Sequence, residues 1–246
     1  AKSMVSKGIL DGVDLFLAGH VGTGVPLGEV VAGTEGFLAT TKVDARFKGV
    51  SAHAGARPEE GKNALLAAAS AVTGLHGIPR HSKGNSRVNV GVMQSGTSRN
   101  SIPSEALLKL ETRGETTEVN EYMFREAINV LKGAAIMHGV ELSYSVCGEA
   151  KGGSSTAGAM GIIGRAAQQV AEVKRVSGLQ KFSAGSEDAT WMMDEVIRNG
   201  GEAAYAIFGT ELAAGHHNER FDIDERVMLI ALKTLFYSVC AVNDEG

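Results

Sequence analysis

Four short segments in the middle of the chain alternate apolar with polar residues, which is typical of strands with one buried face. They are 41–48 (TKVDARFK), 87–93 (RVNVGVM), 105–113 (EALLKLETR) and 140–146 (VELSYSV). A helical pattern, 63–77, separates the first two segments, and a second one, 116–139, separates the last two. The order β-α-β-β-α-β predicts a ferredoxin-like unit in which two helices cover one face of a four-stranded sheet and the other face stays polar.

The flanking sequences predict a different architecture. The runs VDLFLAGH (13–20) and AAYAIFG (203–209) are continuously apolar, as strands buried on both faces of an α/β sheet are. Helical patterns follow at 155–173 and after Asp224, and Asp222 with Glu225 resembles a capping box. We therefore expect an α/β domain formed by 1–37 and 151–246, with an α+β domain, 38–150, inserted into it.

Composition excludes several classes of function. The net charge is −4 and the sequence pI is about 6.0, which does not favour a nucleic-acid partner. No apolar stretch reaches the roughly 20 residues of a membrane span, and no secretory signal is visible. The two cysteines share no motif. These observations predict a cytoplasmic protein with no nucleic-acid or membrane partner.

Histidines offer the first hint of chemistry. His20 ends an apolar run, where α/β proteins place ligands, and His53 and the pair His216 and His217 lie in predicted loops. Most single histidines are surface or hydrogen-bonded residues, and His76, His81 and His138 are interpreted in that way. A zinc-type site needs three or four donors, yet no His-Glu-x-x-His or Cys-x-x-Cys motif occurs. Spacing alone therefore does not establish a metal site.

Several ordered blocks resemble one family, the dinuclear metal-dependent aminoacylases, carboxypeptidases and amidohydrolases. The blocks are 19–33 (GHVGTGVPLGEVVAG), 49–69 (GVSAHAGARPEEGKNALLAAA), 98–114 (SRNSIPSEALLKLETRG), 184–193 (AGSEDATWMM) and 217–225 (HNERFDIDE). The resemblance covers nearly the whole chain. It implies a metallopeptidase α/β catalytic domain with an inserted lid and dimerisation domain.

Two earlier blocks of the family have no counterpart here. They are a Cys/His-Gly-His-Asp segment and a Pro-Ala-Glu-Glu-Gly segment, which supply most of the metal ligands and the catalytic glutamate. We therefore expect the chain to be the C-terminal part of a longer enzyme, a fragment that is inactive alone. We also expect the apolar core of its larger domain to be incomplete.

The resemblance assigns roles to five residues. His20 and His217 match metal ligands, whereas His216 matches none. His53 matches the lid histidine that reaches into the partner's site of a dimer and stabilises the oxyanion, and Asn100 and Arg113 match a lid pair that binds the substrate carboxylate. The plainer alternatives are an exposed sheet charge for Arg113 and a turn residue for Asn100. The block containing Gly185, Ser186 and Glu187 is expected to shape the floor of the site.

The implied function is metal-dependent hydrolysis of an N-acyl or p-aminobenzoyl amino acid such as p-aminobenzoyl-glutamate. The complete enzyme would use two divalent ions, Zn²⁺ or Mn²⁺, and this chain alone is not expected to hold the pair. Its expected partners are the small-molecule substrate, a second copy bound through the lid, and a related second subunit. The alternative from a different class is a non-catalytic dimerisation or ligand-binding module.

Overall fold

The structure is a computed structural model that describes residues 1–22, 24–181, 185–215 and 218–244. Within these residues the chain forms eight strands and six α-helices. The strands are β1 (Leu15–Val21), β2 (Glu29–Glu35), β3 (Ala39–Lys48), β4 (Ser86–Ser95), β5 (Glu105–Gly114), β6 (Glu141–Ala150), β7 (Arg175–Lys181) and β8 (Glu202–Phe208). The helices are α1 (Lys2–Val5), α2 (Ala64–His76), α3 (Thr117–His138), α4 (Ala157–Gln168), α5 (Thr190–Arg198) and α6 (Arg226–Asp244). The chain divides into two compact units, which are Ala1–Phe37 with Gly153–Gly246 (unit 1) and Leu38–Gly152 (unit 2).

Unit 2 has the predicted β-α-β-β-α-β order, and the predicted mixed α/β fold class is confirmed. Its antiparallel sheet has the strand order β4-β5-β3-β6. Helices α2 and α3 pack on one face, where Phe47, Leu75, Leu108 and Leu131 are fully buried. Charged side chains of β3 and β5 alternate with these buried residues and face the opposite side. The unit therefore has its own core and one open, polar sheet face.

Both edge strands of unit 2 depart from the simple alternation. In β4 the register shifts between Val90 and Val92, so that Val92 aligns with Lys109. Val92 was predicted to share the buried face with Val88 and Val90, but the extra residue at this bulge turns it to the open side. In β6, Tyr144 remains 45% exposed although it was predicted to be buried, because β6 lies at the edge of the sheet.

Unit 1 is a sheet with helices on both faces. Its strand order is β1-β8-β2-β7, with β1 parallel to β8, β2 parallel to β7, and a short antiparallel contact between β2 and β8. Helices α4 and α6 contribute to the apolar core on one face, and α5 contributes to the core on the other. Strand β8 is buried from Ala203 to Phe208, as its apolar run predicted.

Three features of unit 1 differ from the sequence prediction. Strand β1 is half-buried rather than buried on both faces, because it is an edge strand in the part of the sheet that the structure describes. Strands β2 and β7 and helix α5 were not predicted as separate elements. Helix α6 begins at Arg226, so Asp222 lies too far upstream to cap it, and the carboxylate of Asp224 accepts a hydrogen bond from the Arg226 backbone N–H instead.

Helix α6 carries an apolar stripe on its outer side. Val227 and Ile230 are buried against the sheet, whereas Leu232, Phe236 and Val239 are 57–66% exposed. By length and composition alone, Arg226–Asn243 is long and apolar enough to cross a membrane, with a mean hydropathy of 1.4. This corrects the expectation that no such segment exists, but a single helix of this kind is weak evidence for a membrane span because core helices pass the same test.

Candidate functional site

His20 lies near the carboxyl end of β1, the side of a parallel sheet where α/β proteins bind ligands. It aligns with Ile207 of the parallel strand β8, so both strands end at the same edge. The Nδ1 atom of His20 lies 2.8 Å from the carbonyl oxygen of Val21. A carbonyl only accepts hydrogen bonds, so this contact assigns the ring proton to Nδ1 and leaves the Nε2 lone pair as the donor atom for a metal.

The loop that follows β8 is fixed beside His20. A Cβ atom on Gly209 would lie 2.0 Å from the carbonyl oxygen of Pro26, so only glycine permits this close approach. Further along the loop, Leu212 forms a bridge with Ile223 and its side chain lies against Gly22. The loop therefore runs past the end of β1. His216 and the predicted ligand His217 follow in this loop but lie outside the described residues.

The described residues do not by themselves fit a dinuclear metal centre. His20 has a suitable donor atom, but among the described residues no group of three or more His, Cys, Asp or Glu side chains is placed to hold a metal ion. A catalytic zinc ion usually has three protein ligands. The part of the chain that the structure describes accordingly accounts for one predicted ligand.

Glu187, in the block predicted to form the floor of the site, is tied to β8. Its Oε2 atom accepts a hydrogen bond of 2.9 Å from the hydroxyl of Tyr205, and its Oε1 atom accepts one of 2.9 Å from the backbone N–H of Asp188. Burial, followed by the hydrogen bond and the negative charge of Glu187, raises the pKa of Tyr205 well above its ordinary range. Tyr205 is therefore a neutral donor that fixes this carboxylate, a role that the apolar run around it did not indicate.

His53 lies in an exposed loop of unit 2 with its ring orientation determined by the backbone. Its Nδ1 atom accepts hydrogen bonds from the N–H groups of Gly55 and Ala56, at 3.2 and 3.1 Å. Since Nδ1 is an acceptor, the neutral ring carries its proton on Nε2. The ring therefore presents an N–H donor away from its own loop, which is the kind of group that stabilises a developing oxyanion.

Asn100 lies next to this loop. Its carbonyl oxygen accepts a hydrogen bond of 3.0 Å from the Ala54 N–H, and the neighbouring Ser101 forms a bridge with His53. The side-chain Oδ1 atom of Asn100 accepts a hydrogen bond of 3.0 Å from the Ser98 hydroxyl. The structure therefore brings together His53 and Asn100, both of which were predicted as site residues.

Arg113 lies at the other end of β5. The loop that contains Asn100 precedes Glu105, the first residue of β5, and Arg113 is eight residues further along the strand. A strand rises about 3.4 Å per residue, so roughly 27 Å separates the two ends. One chain does not bring Asn100 and Arg113 together, and the predicted lid pair is therefore divided between the two ends of the sheet.

The surroundings of Arg113 are polar and partly enclosed. Its guanidinium forms a two-point ion pair with Glu111, at 2.9 Å from Nε to Oε1 and 3.3 Å from Nη2 to Oε2. Both side chains are 28% exposed. They line a cavity of about 450 Å³ together with Arg80 and Arg87. Glu111 and Arg87 were not predicted as site residues, although their strand positions place them on the same face as Arg113.

Two histidines outside the site have clear structural roles. The Nε2 atom of His138 lies 2.8 Å from the hydroxyl of Ser70 and so links α3 to α2, which corrects the expectation that it has no polar neighbour. The ring of His81 packs edge-on against Tyr122, and its Nδ1 atom accepts a hydrogen bond from the Lys83 N–H. Neither contact indicates a ligand site.

Comparison with known proteins identifies the class to which this fold belongs. Residues 38–136 match the peptidase dimerisation domain of the M20 peptidases. The chain belongs to the M20 family of metallopeptidases, as the sequence resemblance predicted. A dinuclear metal-binding M20 peptidase from Bacillus subtilis shares the fold, with a TM-score of 0.67 and 18% identity over 98% of this chain and 60% of that chain.

Two curated hydrolases are closely similar. The chain is 53% identical to indole-3-acetyl-aspartic acid hydrolase of Enterobacter agglomerans and 52% identical to one of the two subunits of p-aminobenzoyl-glutamate hydrolase of Escherichia coli K12. Each match covers 96% of this chain and 54% of the relative. A crystal structure of an aminobenzoyl-glutamate utilization protein from Klebsiella pneumoniae matches with a TM-score of 0.88 and 47% identity, covering 97% of this chain and 57% of that one. The chain thus spans about half the length of the curated relatives it matches.

Proposed function

We propose that this chain is part of an amide hydrolase that cleaves an N-acyl or p-aminobenzoyl amino acid, such as p-aminobenzoyl-glutamate. One observation carries the proposal, which is the geometry of His53. Its proton is held on Nε2 by two backbone donors, in an exposed loop beside Asn100. A fixed neutral N–H donor serves amide hydrolysis because it can stabilise the negative charge that develops on the carbonyl oxygen. The similarity to two curated hydrolases supports the same function.

His20 and His217 are proposed as metal ligands in the complete enzyme. A divalent ion, Zn²⁺ or Mn²⁺, would supply Lewis-acid activation of water and of the scissile carbonyl when bound there. The hydrogen bond between His20 Nδ1 and the Val21 carbonyl orients the ring and selects its tautomer for this role. The remaining ligands are not among the described residues.

A second copy of the chain is proposed as a partner that completes the site. The edge strand β4 has one free side in the four-stranded sheet of unit 2. Two copies related by a two-fold axis would pair their β4 strands in antiparallel fashion. The Asn100 loop follows the end of β4, whereas Arg113 lies beside its start, at Arg87. Such pairing therefore places His53 and Asn100 of one copy near Arg113 of the other.

In this arrangement Arg113 is proposed to bind the substrate's carboxylate. A guanidinium suits this role because its planar fork donates two parallel hydrogen bonds to a carboxylate. The ion pair with Glu111 restrains the Arg113 side chain on the open sheet face. We further propose a cytoplasmic location and, because one relative is named as one of two subunits of its enzyme, the involvement of a related second subunit.

A direct assay tests this function. The longer protein that contains this chain, supplied separately with Zn²⁺ and with Mn²⁺, should release p-aminobenzoate from p-aminobenzoyl-glutamate. The His53→Ala variant should lose at least 99% of this activity while retaining the melting temperature of the parent protein. An equal rate for parent and variant would remove His53 from the mechanism, and no hydrolysis of any N-acyl amino acid would contradict the function itself.

The second candidate is a non-catalytic dimerisation or ligand-binding module. It is favoured by the separate core of unit 2 and by the lack of a three-donor metal group among the described residues. The two candidates differ in one readily measured quantity. A binding module should retain p-aminobenzoyl-glutamate unchanged, whereas the hydrolase should convert it.

A further inference from the structure

Two arginines face each other directly across the β4–β5 pair. Arg87 of β4 is the register partner of Arg113 of β5, so both side chains lie on the open face of the sheet. Side chains directly opposite in an antiparallel pair have Cβ atoms only about 4.5–5.5 Å apart, and like charges in this position are destabilising. The pair is therefore unfavourable for the sheet unless anionic groups neutralise it.

The neighbouring carboxylate neutralises only part of this charge. Glu111 forms a two-point ion pair with Arg113. In the described part of the chain, neither Arg87 nor Arg80 has an ion-pair partner, and both line the same cavity as Arg113. Three guanidinium groups therefore face one carboxylate, which leaves an excess of positive charge around the cavity.

The cavity has the size of a small-molecule site. Its volume is about 450 Å³, within the range of roughly 300–1,000 Å³ for ligand pockets. Its lining also includes Ile78, Met123 and the side chain of His76, which give it an apolar end. A ligand with an anionic part and an apolar part would complement both regions.

We infer that Arg87 acts with Arg113 to bind the two carboxylates of an amide of a dicarboxylic amino acid. This inference rests on the proposed function and specifies its substrate class. Two or three carbon atoms separate the carboxylates of aspartate and glutamate, a spacing comparable to that of the two arginine side chains. Each guanidinium can donate a bidentate pair of hydrogen bonds to one carboxylate. Arg87 is thus assigned as a residue that determines specificity for the side-chain carboxylate.

A matched pair of substrates isolates the role of Arg87. p-Aminobenzoyl-glutamate and p-aminobenzoyl-glutamine have the same shape and the same α-carboxylate, but only the first has a charged side chain. In the longer protein, Arg87→Gln should raise KM for the glutamate compound at least tenfold and change KM for the glutamine compound less than twofold. Arg87→Lys should recover part of the loss, because it keeps the charge and loses the bidentate geometry.

The control is Arg46→Gln. Arg46 is an exposed arginine on the same open face, aligned with Leu107 towards the other end of β5. It should leave both KM values unchanged. Arg87→Gln should not lower the melting temperature, because it removes a like-charge contact, and this separates a binding defect from misfolding. Equal rises in KM for both substrates, or no rise for either, would overturn the assignment.

A binding measurement separates this inference from the proposed function. Calorimetric titration with glutarate, which has no amide to cleave, should show at least tenfold weaker binding to Arg87→Gln than to the parent or to Arg46→Gln. Glutaramate, with one carboxylate, should not distinguish the three proteins. If glutarate binding depends on Arg87 but no amide is hydrolysed, the proposed function fails and the dicarboxylate site stands. If glutarate binds all three proteins equally, or binds none of them, the dicarboxylate site is wrong.

Discussion

His53 and Arg113 show how neighbouring atoms decide what a side chain can do. Two backbone N–H groups occupy Nδ1 of His53 and so define which ring nitrogen carries the proton. One carboxylate, that of Glu111, holds the guanidinium of Arg113 in place on the sheet. The first arrangement produces a directed donor, and the second produces a restrained cation.

The tautomer of His53 leads to a residue-level prediction. In the longer protein, His53→Ala should lower kcat by about 10²–10³-fold, the usual effect of removing one oxyanion donor. His53→Gln places an amide N–H near the position of Nε2 and should recover part of this rate. His53→Asn places an acceptor near the position of Nδ1, retains the loop contacts and should recover none. Steady-state kinetics of the three variants check this order, and equal rates for the Asn and Gln variants would refute the tautomer argument.

Helices and strands are where sequence and structure agree best. The alternating patterns located β3, β4, β5 and β6 because each strand has one face against α2 and α3 and one face in solvent. The apolar run of β8 was equally clear. Strands β2 and β7 were missed because their pairing partners are distant in sequence.

The candidate site was less predictable for a related reason. Sequence blocks indicated His20, His53, Asn100 and Arg113 one at a time, but strand register determines which of them are neighbours. The pairing of Arg87 with Arg113, and the separation of Asn100 from Arg113, follow from the hairpin of β4 and β5. No local pattern around either residue contains that information.

A buried polar contact joins α3 to the sheet and leads to the first element-level prediction. The side chain of Asn120 donates a hydrogen bond to the Thr41 hydroxyl and accepts one from the Thr112 hydroxyl, both at 2.9 Å. Asn120→Ala removes both bonds and leaves two buried hydroxyls without this partner, so we expect unfolding free energy to fall by about 2–4 kcal/mol. The exposed Asn129→Ala on the same helix should change it by less than about 0.5 kcal/mol. Urea denaturation compares the two, and equal effects would contradict the role of Asn120.

The start of α6 leads to a prediction about pH. Hydrogen bonds from the Arg226 side chain and backbone lower the pKa of Asp224 from 3.8 to about 2. A carboxylate that is more acidic in the folded chain stabilises the fold above its ordinary pKa, and the contribution disappears as pH falls from 3.8 to about 2. Asp224→Asn should therefore be less stable than the parent at pH 7 and equally stable near pH 2. Thermal melts across this range, with Asp222→Asn as the control, test the effect, and a pH-independent difference would contradict it.

At the scale of the whole molecule, the chain exposes groups that ordinarily have partners. The outer stripe of α6 is apolar, and the two curated relatives are almost twice as long as the matched region. Arg113 and the pair His53 and Asn100 lie at opposite ends of one sheet. The central claim is therefore that the site of the complete enzyme draws on two copies of the chain.

Complementation between two inactive variants measures this claim directly. His53→Ala and Arg113→Ala should each inactivate the longer protein. In a mixed dimer, one site combines the intact Arg113 of the first variant with the intact His53 of the second. Random mixing makes about half of the dimers mixed, each with one of its two sites intact, so activity should return to about a quarter of the parent value. If mixed dimers form, as shown by differently tagged copies, and hydrolyse p-aminobenzoyl-glutamate no faster than either variant alone, the two-copy site is contradicted.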